Sequence, residues 1–122
     1  MGRGEKDEDR EERIRMEIVV DAYERHERVS GWYVYLEERL DTPFEARCIE
    51  ERDVSPLTDG ETVRVVRMSP IDACESEMFV TVDWRDRELG VPLAQLEPVD
   101  APGETAQAIA DWHYWDRRNY SF

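Results

Sequence analysis

The chain has 122 residues, with 30 Asp and Glu against 16 Lys and Arg, and a formal net charge of −14 at pH 7. That length suits one domain with a real core and is short for two. The acidity excludes the basic stripe that a nucleic acid or an anionic membrane would require, and no apolar stretch approaches a membrane span or a signal peptide, so a soluble cytoplasmic protein with neither partner is expected.

Residues 1–13 carry six acids and four bases and read as a disordered charged tail. Helices are expected over 14–41. Ile14, Ile18, Ala22 and His26 recur every four residues, and Val19 and Tyr23 widen the stripe. Ser30-Gly31 interrupts the pattern, with Ser30 placed to cap a second helix carrying Trp32, Leu36 and Leu40. Pro43 pushes Thr42 out of the helical basin and closes the region.

From Phe44 to Val99 the period becomes two. Phe44-Ala46-Cys48, Val63-Val65, Met78-Val80-Val82-Trp84 and Leu89-Val91-Leu93 alternate as strands, and Pro92 places the last of them at an edge or bulge. Turn signals at Ser55-Pro56, Asp59-Gly60, Ser69-Pro70 and Arg85-Asp86-Arg87 separate them, which suggests a small antiparallel barrel or sandwich over 44–99. A last helix is expected over 104–116. Thr105, Ala106, Ile109, Ala110 and His113 share a face, and Trp112 and Trp115 give it enough aromatic mass to pack on the sheet.

The negative charge is concentrated. Pro70 to Asp116 holds eleven acids and only Arg85 and Arg87 as bases, which is −9 of the −14. Such a density of carboxylate oxygen suits a hard cation such as calcium and stores self-repulsion that a cation relieves. Two clusters point to a site. Glu37, Glu38 and Asp41 share one flank of a helix at spacings of three and four, where like charges repel. Asp72, Glu75 and Glu77 occupy a loop without a base among them, and a loop also turns carbonyl oxygens inward. Asp100 and Glu104 are sufficiently explained by helix-start chemistry, with Thr105 as a capping residue. General solvation of an Arg-rich, acid-rich surface accounts for part of the rest.

No EF-hand loop is present: placing Gly60 or Gly103 sixth puts Ser55 or Pro98 first and Val66 or Ile109 twelfth. There is no phosphate loop, dinucleotide fingerprint, nucleophile elbow or zinc motif, and no organised base and nucleophile, so an enzyme is not expected. His113 reads as a core histidine bonded to backbone, and His26, among charged neighbours, as exposed. Cys48 falls on a buried strand face and Cys74 in an acidic stretch, where a thiol is unreactive.

Seven stretches carry a resemblance in order along the chain: Met16-Glu17-Ile18-Val19-Val20-Asp21-Ala22-Tyr23, Gly31-Trp32-Tyr33-Val34-Tyr35-Leu36-Glu37, Pro43-Phe44-Glu45-Ala46-Arg47-Cys48, Ser55-Pro56-Leu57, Asp72-Ala73-Cys74 with Glu77-Met78-Phe79-Val80, Val91-Pro92-Leu93-Ala94-Gln95-Leu96 and Asp111-Trp112-His113-Tyr114-Trp115. Together they resemble the cyanobacterial-type calcium-binding CcbP family over nearly all of the chain after residue 13. The resemblance implies a small acidic protein that binds Ca2+ without EF-hands, as a buffer or sensor. The expectation is therefore a single α+β domain over 14–122: an N-terminal helical region, a small antiparallel SH3-like β-barrel and a packed C-terminal helix. Glu37, Glu38, Asp41, Asp72, Glu75 and Glu77 are its candidate ligands, inferred from position and chemistry. The alternative is an acidic interaction module for a basic protein partner, with no specific metal site.

Overall fold

The alternation from Phe44 to Val99 forms one five-stranded antiparallel sheet in a computed structural model of the chain, which describes residues 7–19 and 24–118. Its strands are β1 (Phe44–Cys48), β2 (Thr62–Met68), β3 (Phe79–Trp84), β4 (Arg87–Pro92) and β5 (Leu96–Val99), in the order β4-β3-β2-β1-β5. The first four run as a meander. A 3-10 turn at Leu93–Gln95 then returns the chain so that β5 pairs with β1, Cys48 opposite Leu96 and Glu45 opposite Val99. The class is α+β as expected. The ladder is open, with β4 and β5 at its edges. Pro92 stands at the end of edge strand β4, where its missing N–H leaves no ladder bond unmade.

Alternation divides the sheet cleanly. Ala46, Cys48, Val65, Val80, Val82 and Val91 have no exposed surface and face the core. On the other face acids meet bases across strands: Arg64 lies opposite Glu45 on one side and Asp83 on the other, and Arg47–Glu97 and Arg67–Glu88 are ion pairs. Each such pair is worth roughly 0.2–1 kcal/mol. Arg85 and Asp86, at φ 52° and 67°, make the two-residue turn whose twist matches the flanking strands of a hairpin.

The helices are α1 (Glu8–Arg13), running into a π-helical turn at Ile14–Ile18, then α2 (Arg25–Arg39) and α3 (Gly103–Arg117), of which α2 and α3 cover the buried face. Helix α1 lies within the stretch read as a disordered tail. Its order comes from charge pairing that composition does not reveal. Asp111 of α3 has no exposed surface, and its carboxylate receives Arg10 Nε at 2.8 Å, Arg13 Nη2 at 2.7 Å and the Tyr35 hydroxyl at 2.6 Å. The hydrogen bond to Asp111 holds the Arg13 guanidinium charged well above its ordinary range, and burial, then Asp111, pushes Tyr35 up to about 12. Residues 1–6 of the expected tail, and Ala22 and Tyr23 of the expected stripe, lie outside the described residues.

Helix α2 begins at a capping box of Glu24 and Glu27 and continues through Ser30-Gly31, where an interruption was expected. Gly31 marks a close approach instead: a Cβ built there would overlap the Ile18 carbonyl oxygen of the π-helical turn. Trp32 anchors the helical layer, its ring centroid 5.1 Å from Trp112, 5.5 Å from Trp115 and 5.9 Å from Tyr35 in tilted and edge-to-face contacts. Thr105, expected to cap its own helix, joins two. Its hydroxyl donates to the Arg39 carbonyl at 2.8 Å and accepts from the Asp41 N–H at 2.9 Å, closing the end of α2 against the start of α3.

Two substitutions test this packing. Gly31→Ala should lower stability by about 1–3 kcal/mol in denaturant titration, because overlap with a backbone carbonyl outweighs the helix-propensity gain of about 1 kcal/mol. Asp111→Asn should cost about 2–4 kcal/mol by the same measurement, and hydrogen exchange in α1 should rise towards that of a free peptide.

Candidate metal centre

The six candidate acids come to three places. Glu37 and Glu38 lie exposed on the last turn of α2, and Asp41 follows at the junction with α3. Helix carbonyls end there, so the negative pole of α2 adds to three carboxylates. Among the described residues, the base beside this cluster is Arg39, whose Nη1 lies 3.6 Å from the Glu38 carboxylate on the same turn.

Asp72 and Glu75 stand at the other end of α2. They belong to a 3-10 turn at Ile71–Cys74 and the residue that follows it, in the connection from β2 to β3. Three anchors fix this connection against the helical layer and its own strand. The Tyr33 hydroxyl donates to the Ser69 carbonyl at 2.7 Å, Arg25 Nη2 donates to the Glu75 carbonyl at 2.8 Å, and the Phe79 N–H donates to Cys74 Sγ at 3.3 Å. Between helix and connection runs an open groove of about 430 Å³, lined by Arg25, His26, Val29, Ile71, Asp72 and Glu75 among others. Both carboxylates are exposed, and no ion pair neutralises either among the described residues.

Glu77 is in neither place. Arg52, from the loop between β1 and β2, grips its carboxylate with Nη2 at 2.7 Å and Nη1 at 3.4 Å. The loop read as free of bases thus receives one from 25 residues upstream, a pairing that no local spacing reveals. Glu50 and Asp116 add their charges around Arg52. The Asp116 carboxyl is pushed above its ordinary range, first by burial and then by Glu77.

The structure therefore does not assemble the six acids into one shell. Glu37 is twelve residues along α2 from Arg25, about 18 Å at the helical rise, and Arg25 is the residue beside Glu75. Among the described residues no group of three or more His, Cys, Asp or Glu side chains is arranged to hold a metal ion. What the chain presents is solvated carboxylate in pairs and threes, suited to partial coordination completed by water, and one carboxylate already matched by a guanidinium. Cys48 and Cys74 are buried, and burial pushes both thiols up, so neither is a ligand in waiting. His113 Nε2 bonds to the Leu96 carbonyl at 2.7 Å, which gives it a core role and ties α3 to β5.

Comparison with known proteins follows this geometry. A family model for CcbP proteins, described as calcium binding, matches residues 12–116. Two solved structures are similar over 100% of both chains. One is the crystal structure of Anabaena CcbP, at 39% identity and a TM-score of 0.87. The other is a calcium binding protein in its calcium-binding form, at 38% identity and a TM-score of 0.86. No curated protein matches.

His113 gives the pH dependence a sign. Burial holds its folded-state pKa below the ordinary 6.5, with Arg117 lowering it further and Leu96, Glu97 and Glu50 opposing. A depressed value means that the unfolded chain takes the proton first, so this contribution is present above about pH 6.5 and is lost as pH falls through the folded value. Thermal denaturation between pH 7.5 and 5.5 should show a falling midpoint for the wild type. His113→Gln should flatten that slope.

Proposed function

This chain belongs to the CcbP calcium-binding family, and on that footing we propose that it binds Ca2+ reversibly as a buffer or sensor. The observation that carries the reading is the match over the full length of a protein in its calcium-binding form. The exposed acids support it. Asp72 and Glu75 at the groove, and Glu37, Glu38 and Asp41 at the negative end of α2, are exposed and gain from a cation what they lose to mutual repulsion.

Calcium takes six to eight oxygens at about 2.3–2.6 Å and accepts flexible geometry, so carboxylates, carbonyls and water complete a shell together. Magnesium demands a tighter octahedron and keeps its own water, which disfavours it at dispersed surface carboxylates. Ligands that are solvated and only partly grouped give a modest affinity, about 10⁻⁶ to 10⁻³ M on the scale spanned by sensors and extracellular modules. We place the protein in the cytoplasm on the same reading.

Calorimetry and thermal denaturation at near-physiological salt test this. Calcium should release or absorb heat and raise the melting temperature, with magnesium at the same concentration doing so less. Asp72→Asn with Glu75→Gln should weaken binding by about three- to tenfold, since ligand charge tunes affinity. Glu97→Gln, on the outer sheet face, should leave it unchanged. No heat and no thermal shift at millimolar calcium would sink the reading. A salt-sensitive affinity for a basic peptide, indifferent to calcium, would then put the interaction module in its place.

A further inference from the structure

Two grooves flank the exposed side of α2, and Ser30 lines both. One is the groove of about 430 Å³ against the 3-10 turn. The other, about 350 Å³, runs between α2 and the π-helical turn, with Glu17, Ile18, Gly31, Val34, Tyr35 and Glu38 among its walls. Ser30 and Gly31 therefore put the two smallest side chains of the helix where the grooves join. Large apolar side chains stand out of this same surface. Val34 is 49% exposed, Ile71 40%, and Met16 on the π-helical turn 59%; these are three of the five large apolar residues exposed among the described ones. Single apolar residues scattered over a surface need no partner, whereas apolar side chains beside two joined grooves mark a place to dock.

Charge surrounds this apolar strip. Glu17 and Glu38 line one groove, Asp72 and Glu75 the other, and Glu37 is exposed on the last turn of the helix. The guanidiniums among them are already engaged. Arg25 Nη2 donates to the Glu75 carbonyl, and Arg39, 3.9 Å from Glu17 and 3.6 Å from Glu38, lies over the Tyr35 ring. We propose that this flank of α2 is a docking surface for a basic amphipathic helix of another protein. Its apolar side chains seat against Val34 and Ile71, and its Lys and Arg side chains meet the acids of both grooves. The inference goes beyond calcium binding and does not depend on it.

Charge selects this occupant over others. A second copy of the chain carries the same −14 and is repelled, and an anionic lipid surface is repelled likewise. Length fits a helix as well. From Arg25 to Glu38 the flank runs about 20 Å, the span of a partner helix of about 14 residues. Such a helix lays apolar anchors at spacings of three and four into a groove and turns its basic flanks to the rims. Complementary charge then speeds association and makes affinity fall with salt, while the apolar anchors fix where the partner sits.

The probe is a synthetic helical peptide of about 14 residues, built of Lys, Ala and Leu with the leucines at spacings of three and four. Its control has the same composition with the leucines scattered around the helix. By fluorescence anisotropy in EDTA, the patterned peptide should bind at least about fivefold more tightly than the control. Its affinity should fall about tenfold between about 50 and about 300 mM salt. Val34→Asp separates docking from charge. It adds a negative charge, so attraction by charge alone would strengthen binding, whereas docking predicts a loss of about five- to tenfold. In the wild-type protein the amides of 26–38 and 69–75 should shift in NMR as peptide is added, while those of the β3–β4 turn at 85–87 stay put. That measurement needs no variant to fold. Val34→Asp binding as tightly as wild type, no preference for the patterned peptide, or shifts that bypass α2 would each overturn the docking surface. With calcium absent from these experiments, their failure leaves calcium binding standing, and a failed calcium titration leaves the docking result standing.

Discussion

A carboxylate with no exposed surface, three hydrogen bonds, a second ion-paired guanidinium and three helices attached to it sets the geometry of this chain. Asp111 is carried by α3, neutralised by Arg10 and Arg13 from α1, and hydrogen-bonded by Tyr35 from α2. A buried ionised group is tolerated only when paired and hydrogen-bonded, so the three helices are obliged to converge. Their convergence packs Trp32 between Trp112, Trp115 and Tyr35. It also fixes the direction of α2, and with it the two places where exposed acids gather.

Charge in this protein has several physical roles that composition merges. On the outer sheet face acids and bases alternate across strands, and local neutrality prevails. Asp111 is a structural anion, Glu77 is matched by Arg52, and Glu61 is consumed by Thr58 and by the Trp84 indole, which hold its carboxyl below the ordinary range. Among the exposed acids, those at the α2 end and beside the groove stand in pairs and threes. Self-repulsion that is spread over a molecule destabilises it diffusely, while the same repulsion at two small places becomes affinity for a cation.

Strands were legible because their period is local: Met78, Val80 and Val82 face one way by geometry alone, and all three are buried. Helix α3 and the backbone-bonded His113 were legible for a similar reason. Three features were not. Gly31 carries no local sign distinguishing a helix break from a close approach, and only the position of Ile18 decides. Asp111 looks like any acid on a helix until Arg10 and Arg13, about a hundred residues earlier, are brought to it. Arg52 and Glu77 are likewise joined by the fold and separated in sequence. The acids of the candidate centre were all visible; their division among three places was not, because grouping depends on where α2 points.

Helix α2 is also a ruler. It sets Glu37 in its last turn about 18 Å from Arg25 in its first, more than twice the screening length of about 8 Å at physiological ionic strength. Ions held at the two ends would scarcely feel one another through solvent. Filling one end leaves the other nearly as avid as before, and the response to rising calcium becomes gradual and broad in range. Steepness in such a protein would have to be mechanical, transmitted by the rigid rod between the two ends.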